Sequence, residues 1–102
     1  MKRLALLASV GLLTSCSLPV MFSVAVDEPV LRGKLTLNGN SADLVKNFDG
    51  AYWAKWNGSD AAGTIDVVFP DGAVVTCRVG YVTQGMGVQA FSIHDRHCER
   101  EK

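Results

Sequence analysis

The rhythm of strands and turns after residue 30 limits this chain most. Two runs rich in Val, Thr and aromatic residues, Thr64 to Phe69 and Ala73 to Thr83, are separated only by Pro70-Asp71-Gly72. Proline fixes φ at the first turn position and glycine accepts a left-handed exit, so the pair reads as a hairpin. Upstream, Leu31, Gly33, Leu35 and Leu37 alternate with Arg32, Lys34, Thr36 and Asn38, the period of a half-buried strand. Asn38-Gly39 ends that strand with residues that tolerate positive φ. Ala51 to Trp56 reads as a short strand closed by Asn57-Gly58. Val88 to His94 reads as the last strand, after a turn at Gln84-Gly85-Met86-Gly87. Ser41 to Phe48 stays open between a loop and a short helix capped by Ser41 and carrying Leu44, Val45 and Phe48. The expected fold class is all-β: an antiparallel meander of about five strands, curled into a small barrel or flattened into a sandwich, with at most one short helix.

The N-terminus has a different character. Lys2 and Arg3 precede an uncharged run from Leu4 to Leu13, the length of a signal-peptide core and about half of a membrane span. Small residues follow, then a cysteine. The tetrad Leu13-Thr14-Ser15-Cys16 resembles the lipobox of bacterial lipoproteins, which more often has Ala and Gly before the cysteine. The resemblance covers about 16 residues. It implies that Cys16 Sγ is alkylated by a diacylglyceryl group, that residues 1–15 are removed, and that the new amine is acylated by a fatty acid such as palmitate. Two or three chains hold a protein durably, at about 0.8 kcal/mol per buried methylene. Ser17 at the next position implies sorting to the outer membrane. Residues 16–29 are then expected as a tether and 30–102 as the β domain. The tether's apolar middle (Leu18, Val20, Met21, Phe22) would lie on the membrane surface or pack on the domain. Two alternatives remain. Leu4 to Val26 carries no charge and is long enough to span as an uncleaved helix. Ser23-Val24-Ala25 has the form of an ordinary cleavage site, whose use would discard Cys16. All three readings export the chain.

A domain of this size hides only roughly 60% of its unfolded surface and is marginal alone. With Cys16 lipidated or cut away, Cys77 and Cys98 remain as an even pair in an oxidising compartment, so a disulfide is expected. Closing a loop of about 22 residues stabilises by roughly 3.4 kcal/mol in the chain-entropy model. If the turn at Gln84 to Gly87 pairs Thr83 with Val88, Cys77 lies across from about His94. The chain after Asp95 must then bend back, or a bulge must shift the register, for the sulfurs to meet; the bend is the simpler solution.

Charge is balanced, ten basic against ten acidic residues, without the concentrated positive face that nucleic acid requires. In "HDRHC" (His94 to Cys98), two histidines three apart on one strand point to opposite faces, whereas a metal needs converging ligands; no metal and no cofactor are expected. Scattered serines and two late histidines do not form a nucleophile and base. Of Asp49, Asp60, Asp66 and Asp71, three adjoin a Gly or Ser in turn-like sequence, so turn chemistry explains them better than a carboxylate pair and catalysis is not expected. In "YWAKWNG" (Tyr52 to Gly58), Tyr52, Ala54 and Trp56 share a strand face expected inward, leaving Trp53 outward beside Lys55. An exposed indole next to a cation suits a protein or glycan partner, and covering the end of the barrel is the competing role. Met86, between glycines at a turn, suits an adaptable contact or an ordinary hairpin. Asn57-Gly58-Ser59 matches a glycosylation triplet and is read as a turn. The functional expectation is a non-catalytic, lipid-anchored binding module of the bacterial cell envelope, with protein or peptidoglycan as ligand. Its candidate contacts are Trp53, Lys55, Met86 and an edge strand at Leu31 to Leu37. A phage- or plasmid-type exclusion lipoprotein or a lysozyme-inhibitor-like lipoprotein is the alternative, and a small hydrolase the third.

Overall fold

A computed structural model describes residues 19–58 and 60–101. Residues 1–18, Cys16 among them, Ser59 of the glycosylation triplet and Lys102 lie outside the described residues. Among the described residues nine strands are formed: β1 (Val20–Val26), β2 (Arg32–Leu37), β3 (Asn40–Asp43), β4 (Val45–Lys46), β5 (Tyr52–Trp56), β6 (Ala61–Val68), β7 (Val74–Val82), β8 (Val88–His94) and β9 (His97–Arg100). They build two sheets, ordered β4-β5-β1-β8-β9 and β3-β2-β6-β7. The fold is an all-β sandwich, not a closed barrel.

Inward residues of both sheets make one core. Phe22, Val24, Phe91 and Ile93 come from the five-stranded sheet, and Leu35, Leu37, Ile65, Val67 and Val79 from the other. Full burial of each large apolar side chain contributes about 1.5–3 kcal/mol. Phe69 adds a third buried phenylalanine where β6 enters its turn.

Several expectations change. Val20–Val26, inside the segment expected as a tether, is the middle strand of the larger sheet. It runs antiparallel to β5 and parallel to β8. Its apolar residues are there because Val20, Phe22 and Val24 point into the core. The sheet order is therefore not a simple meander, and one ladder is parallel. The hairpin expected between Thr83 and Val88 does not form: β7 and β8 belong to different sheets, and the turn between them is a crossing. Ser41 to Phe48 contains no helix; it supplies β3, β4 and a turn.

The two sides of the sandwich close differently. On one side the chain passes from β3 at the edge of one sheet to β4 at the edge of the other, and Leu44 between them packs on the core. Gly33 permits this crossing, because a Cβ there would stand 2.5 Å from Leu44 Cδ1. On the other side the Cys77–Cys98 disulfide joins β7 to β9, Cα to Cα 5.5 Å. The bend after His94 brings Cys98 alongside Ile93 and back towards β7. Arg100 fills the same seam, donating to the Val79 carbonyl and to Gln89 Oε1 while lying 4.8 Å over the Phe91 ring. Gln89, the one buried polar residue of the described core, is thereby satisfied.

Candidate functional site

The outward face of the five-stranded sheet carries the candidate contacts. Alternation along β5 buries Ala54, turns Trp56 onto the core and leaves Trp53 and Lys55 facing out. Val45 of β4 and Ser23 of β1 flank Trp53, and Lys55 stands beside Met21, which in turn adjoins Val88 of β8. Met21, Val45, Trp53 and Lys55 line an open depression of about 430 Å³. Trp53 is half-buried there, and its indole Nε1 is enclosed without an acceptor among the described residues. A buried unsatisfied donor costs about 1–3 kcal/mol, so the ring is held by packing rather than by a hydrogen bond. Lys55 is exposed and makes no ion pair among the described residues. The depression thus offers an aromatic wall with a free cation at its rim.

The outward positions of β1 are Met21, Ser23 and Ala25, none of them charged. A strand with uncharged residues on both faces is typical of one covered on both sides. The outer face of the other sheet is different, with Arg32, Lys34, Thr36, Thr64 and Asp66 in neighbouring positions. It holds a depression of about 340 Å³ lined by Arg32, Lys34, Asp43 and Asp66. That is an ordinary solvent-facing surface.

The remaining expected residues are dispersed. Met86 is exposed but folded back onto its own turn, where its sulfur accepts the Thr83 amide at 3.1 Å. It sits at the end of β8 next to Val88, at the margin of the Trp53 face. The strand at Leu31 to Leu37 is not an edge, because β2 has β3 on one side and β6 on the other. The edge passes to β3, whose four residues are all exposed.

The histidines require a geometric correction. A two-residue turn, Asp95-Arg96, with φ of 54° and 64°, makes His94 and His97 cross-strand partners. They share a face instead of opposing each other. His94 Nδ1 lies 2.8 Å from Asp27 Oδ2, whose carboxylate also accepts the Asp95 amide. No group of three potential ligands converges on a metal position among the described residues.

Two of the four aspartates serve turns, and two accept side-chain hydroxyls. Asp49 Oδ1 accepts the Ala51 amide and Asp71 Oδ1 the Ala73 amide, each at 3.0 Å. Asp66 accepts the Thr76 hydroxyl at 2.6 Å. Asp60 accepts the Tyr81 hydroxyl at 2.6 Å and the Thr83 hydroxyl, and these donors hold its carboxyl below the usual carboxylate range. Arg96 ties three segments together: it pairs with Glu28 and Asp71 at 3.0 Å each and lies 4.4 Å over the Phe69 ring. The two carboxylates raise its already high pKa further.

Sequence reasoning did not find Phe48, which is fully exposed on the turn between β4 and β5. That turn is well formed, with the Gly50 amide donating to the Asn47 carbonyl at 3.0 Å. Leu44, Val45 and Phe48 have helical spacing, which hides the exposed position of Phe48 in the sequence. No family model, curated protein or solved structure matches this chain.

Proposed function

We propose that this chain is a lipid-anchored envelope protein whose sandwich is a non-catalytic binding module. The observation that supports anchoring is the position of β1. Strand Val20–Val26 begins four residues after Cys16. Cleavage after Ala25 would remove Val20, Phe22 and Val24, each almost completely buried. An uncleaved helix through Val26 would need the same residues in another conformation. Processing before Cys16 leaves the sandwich whole.

Binding is assigned to the Trp53 depression, where an aromatic wall, Met21, Val45 and the Lys55 cation suit an amphipathic ligand carrying an anionic group. A protein segment and the carboxylate-bearing peptides of peptidoglycan both have that chemistry. Outer-membrane location follows from the residue after Cys16 and belongs to the same proposal.

Two measurements test it. Intact mass of the membrane-extracted protein should show a chain starting at Cys16 with acyl groups, and Cys16→Ala should leave the precursor uncut. A chain starting at Val26, or an unmodified full-length chain, sinks the anchor. Sedimentation with purified peptidoglycan and cross-linking in envelope extract should each be compared with Trp53→Ala and Lys55→Glu. Loss of capture in both variants supports the assignment. Unchanged capture moves the contact elsewhere.

A further inference from the structure

The two ends of the sandwich differ in charge. At the end where β1 begins, Val20 pairs with Trp56 and Met21 with Val88. The turns there are linked to one another. Asn38 Nδ2 donates to the Asp60 carbonyl, and Gln84 Nε2 donates to that of Gly58. Among the described residues of these turns Asp60 is the one charged side chain, with both oxygens occupied by hydroxyls of Tyr81 and Thr83, and Lys55, paired with Met21, adds one cation at the same end. Met86, Val88 and Tyr81 are exposed around it. At the opposite end stand five carboxylates, Asp27, Glu28, Asp49, Asp71 and Asp95, against the cations Arg32, Lys46 and Arg96, so that end is net acidic.

We infer that the charge-poor end rests on the lipid headgroups and that the domain stands end-on to the bilayer. This rests on the acylated-Cys16 reading above. Four residues from Cys16 to Val20 span at most about 14 Å, so the end that carries Val20 stays near the surface. The eight residues of β6 span roughly 26 Å, which puts the acidic end beyond that reach unless the domain lies down. Anionic headgroups repel the acidic end and favour the end with exposed Met86, Val88 and Tyr81, since aromatic and apolar side chains suit the interface.

Nitroxide labels on Gln84→Cys and, separately, Phe48→Cys test this in the full processed protein, with the native disulfide left oxidised. The probe is a vesicle of phosphatidylethanolamine and phosphatidylglycerol, and the readout is collision with a water-soluble nickel chelate. On incorporation, the label at 84 should lose accessibility severalfold while that at 48 keeps it. Asn57→Cys, at the same end as Gln84, repeats the measurement if the first variant folds poorly. Equal protection at both ends means that the domain lies flat, and full accessibility at both means that it floats free; either overturns the inference. Mass spectrometry of the same sample separates these results from a failure of anchoring, because an unacylated chain removes the parent reading and this one with it.

Discussion

Met21 of β1 stands beside Val88 of β8 in a parallel ladder, although the two come from opposite ends of the described chain. That pairing inserts the N-terminal strand between β5 and β8 and gives the outer face of the sheet its uncharged centre. It also makes residues 20–26 a part of the fold.

A chain beginning at Ser17 should therefore unfold cooperatively in urea, whereas one beginning at Val26 should not fold. Loss of Val20, Phe22 and Val24 removes three buried side chains, each worth about 2–5 kcal/mol as a deletion. The sum approaches or exceeds the roughly 5–15 kcal/mol by which small domains are stable. Circular dichroism of the two chains decides it, and a folded Val26 chain would refute the central role of β1.

Gly63 should be intolerant of a side chain. A Cβ there would stand 1.8 Å from the Thr36 carbonyl oxygen, beside the irregularity at Gly63/Thr64 in the β6–β7 ladder. Backbone cannot swing aside as a side-chain tip does, so Gly63→Ala should cost about 1–3 kcal/mol or more, read from the urea midpoint. A midpoint equal to that of the parent would contradict the packing.

Reduction of the disulfide should loosen one side only. Cys77→Ala with Cys98→Ala should lose about 3 kcal/mol, the chain-entropy value for a loop of this length. Hydrogen exchange should rise first in β9 and the adjoining part of β7, while β2 and β6 stay protected. Uniform loss of protection would mean that the bridge holds the whole sandwich and not the seam.

Arg96 adopts φ of 64°, a conformation that costs a residue with a Cβ about 1–2 kcal/mol. It is held there by Glu28, Asp71 and the Phe69 ring. Arg96→Ala loses those contacts and keeps the strain, whereas Arg96→Gly loses the contacts and relieves it. Alanine should accordingly be the less stable of the two by about 1 kcal/mol. Equal thermal midpoints would remove the strain from the explanation.

The hydroxyls of Thr83 and Tyr81 depress the Asp60 carboxyl. A carboxylate with a lowered folded-state pKa contributes stability above its unfolded value and loses it as pH falls through the folded one. The urea midpoints of the parent protein and Asp60→Asn should therefore differ at neutral pH and converge in acid, below the ordinary carboxylate range. A gap that stays constant with pH would assign the effect to shape instead of charge.

Local signals carried much of this fold. Asn38-Gly39 takes positive φ at both residues, and Gly72 takes φ of 92° after Pro70-Asp71. The alternation of Leu35 and Leu37 with Lys34 and Thr36 gives β2 its inward and outward faces. Trp53 and Lys55 face out and Trp56 faces the core by the same parity. β1 was not legible because Val-Met-Phe-Ser-Val-Ala-Val is uncharged at both parities, so period two leaves no trace in it. It continues an apolar run of sequence without a break, and such a run accounts for it as readily as a strand. The shared face of His94 and His97 was hidden for another reason: neither Asp95 nor Arg96 is glycine, and a tight turn at non-glycine residues gives little local warning.

Composition and pattern alone determined that the chain is all-β and where most of its turns fall; of three cysteines, the lipobox resemblance set Cys16 aside and left Cys77 and Cys98 as the expected pair, which the structure bridges. The first two are properties of neighbouring residues, set by allowed φ and side-chain alternation. The tertiary structure decided which strands are neighbours, that β7 and β8 part into separate sheets, and that the outer face of one sheet is uncharged at its centre. Strand pairing is chosen by burial of the whole core at once, and no window of sequence contains that sum.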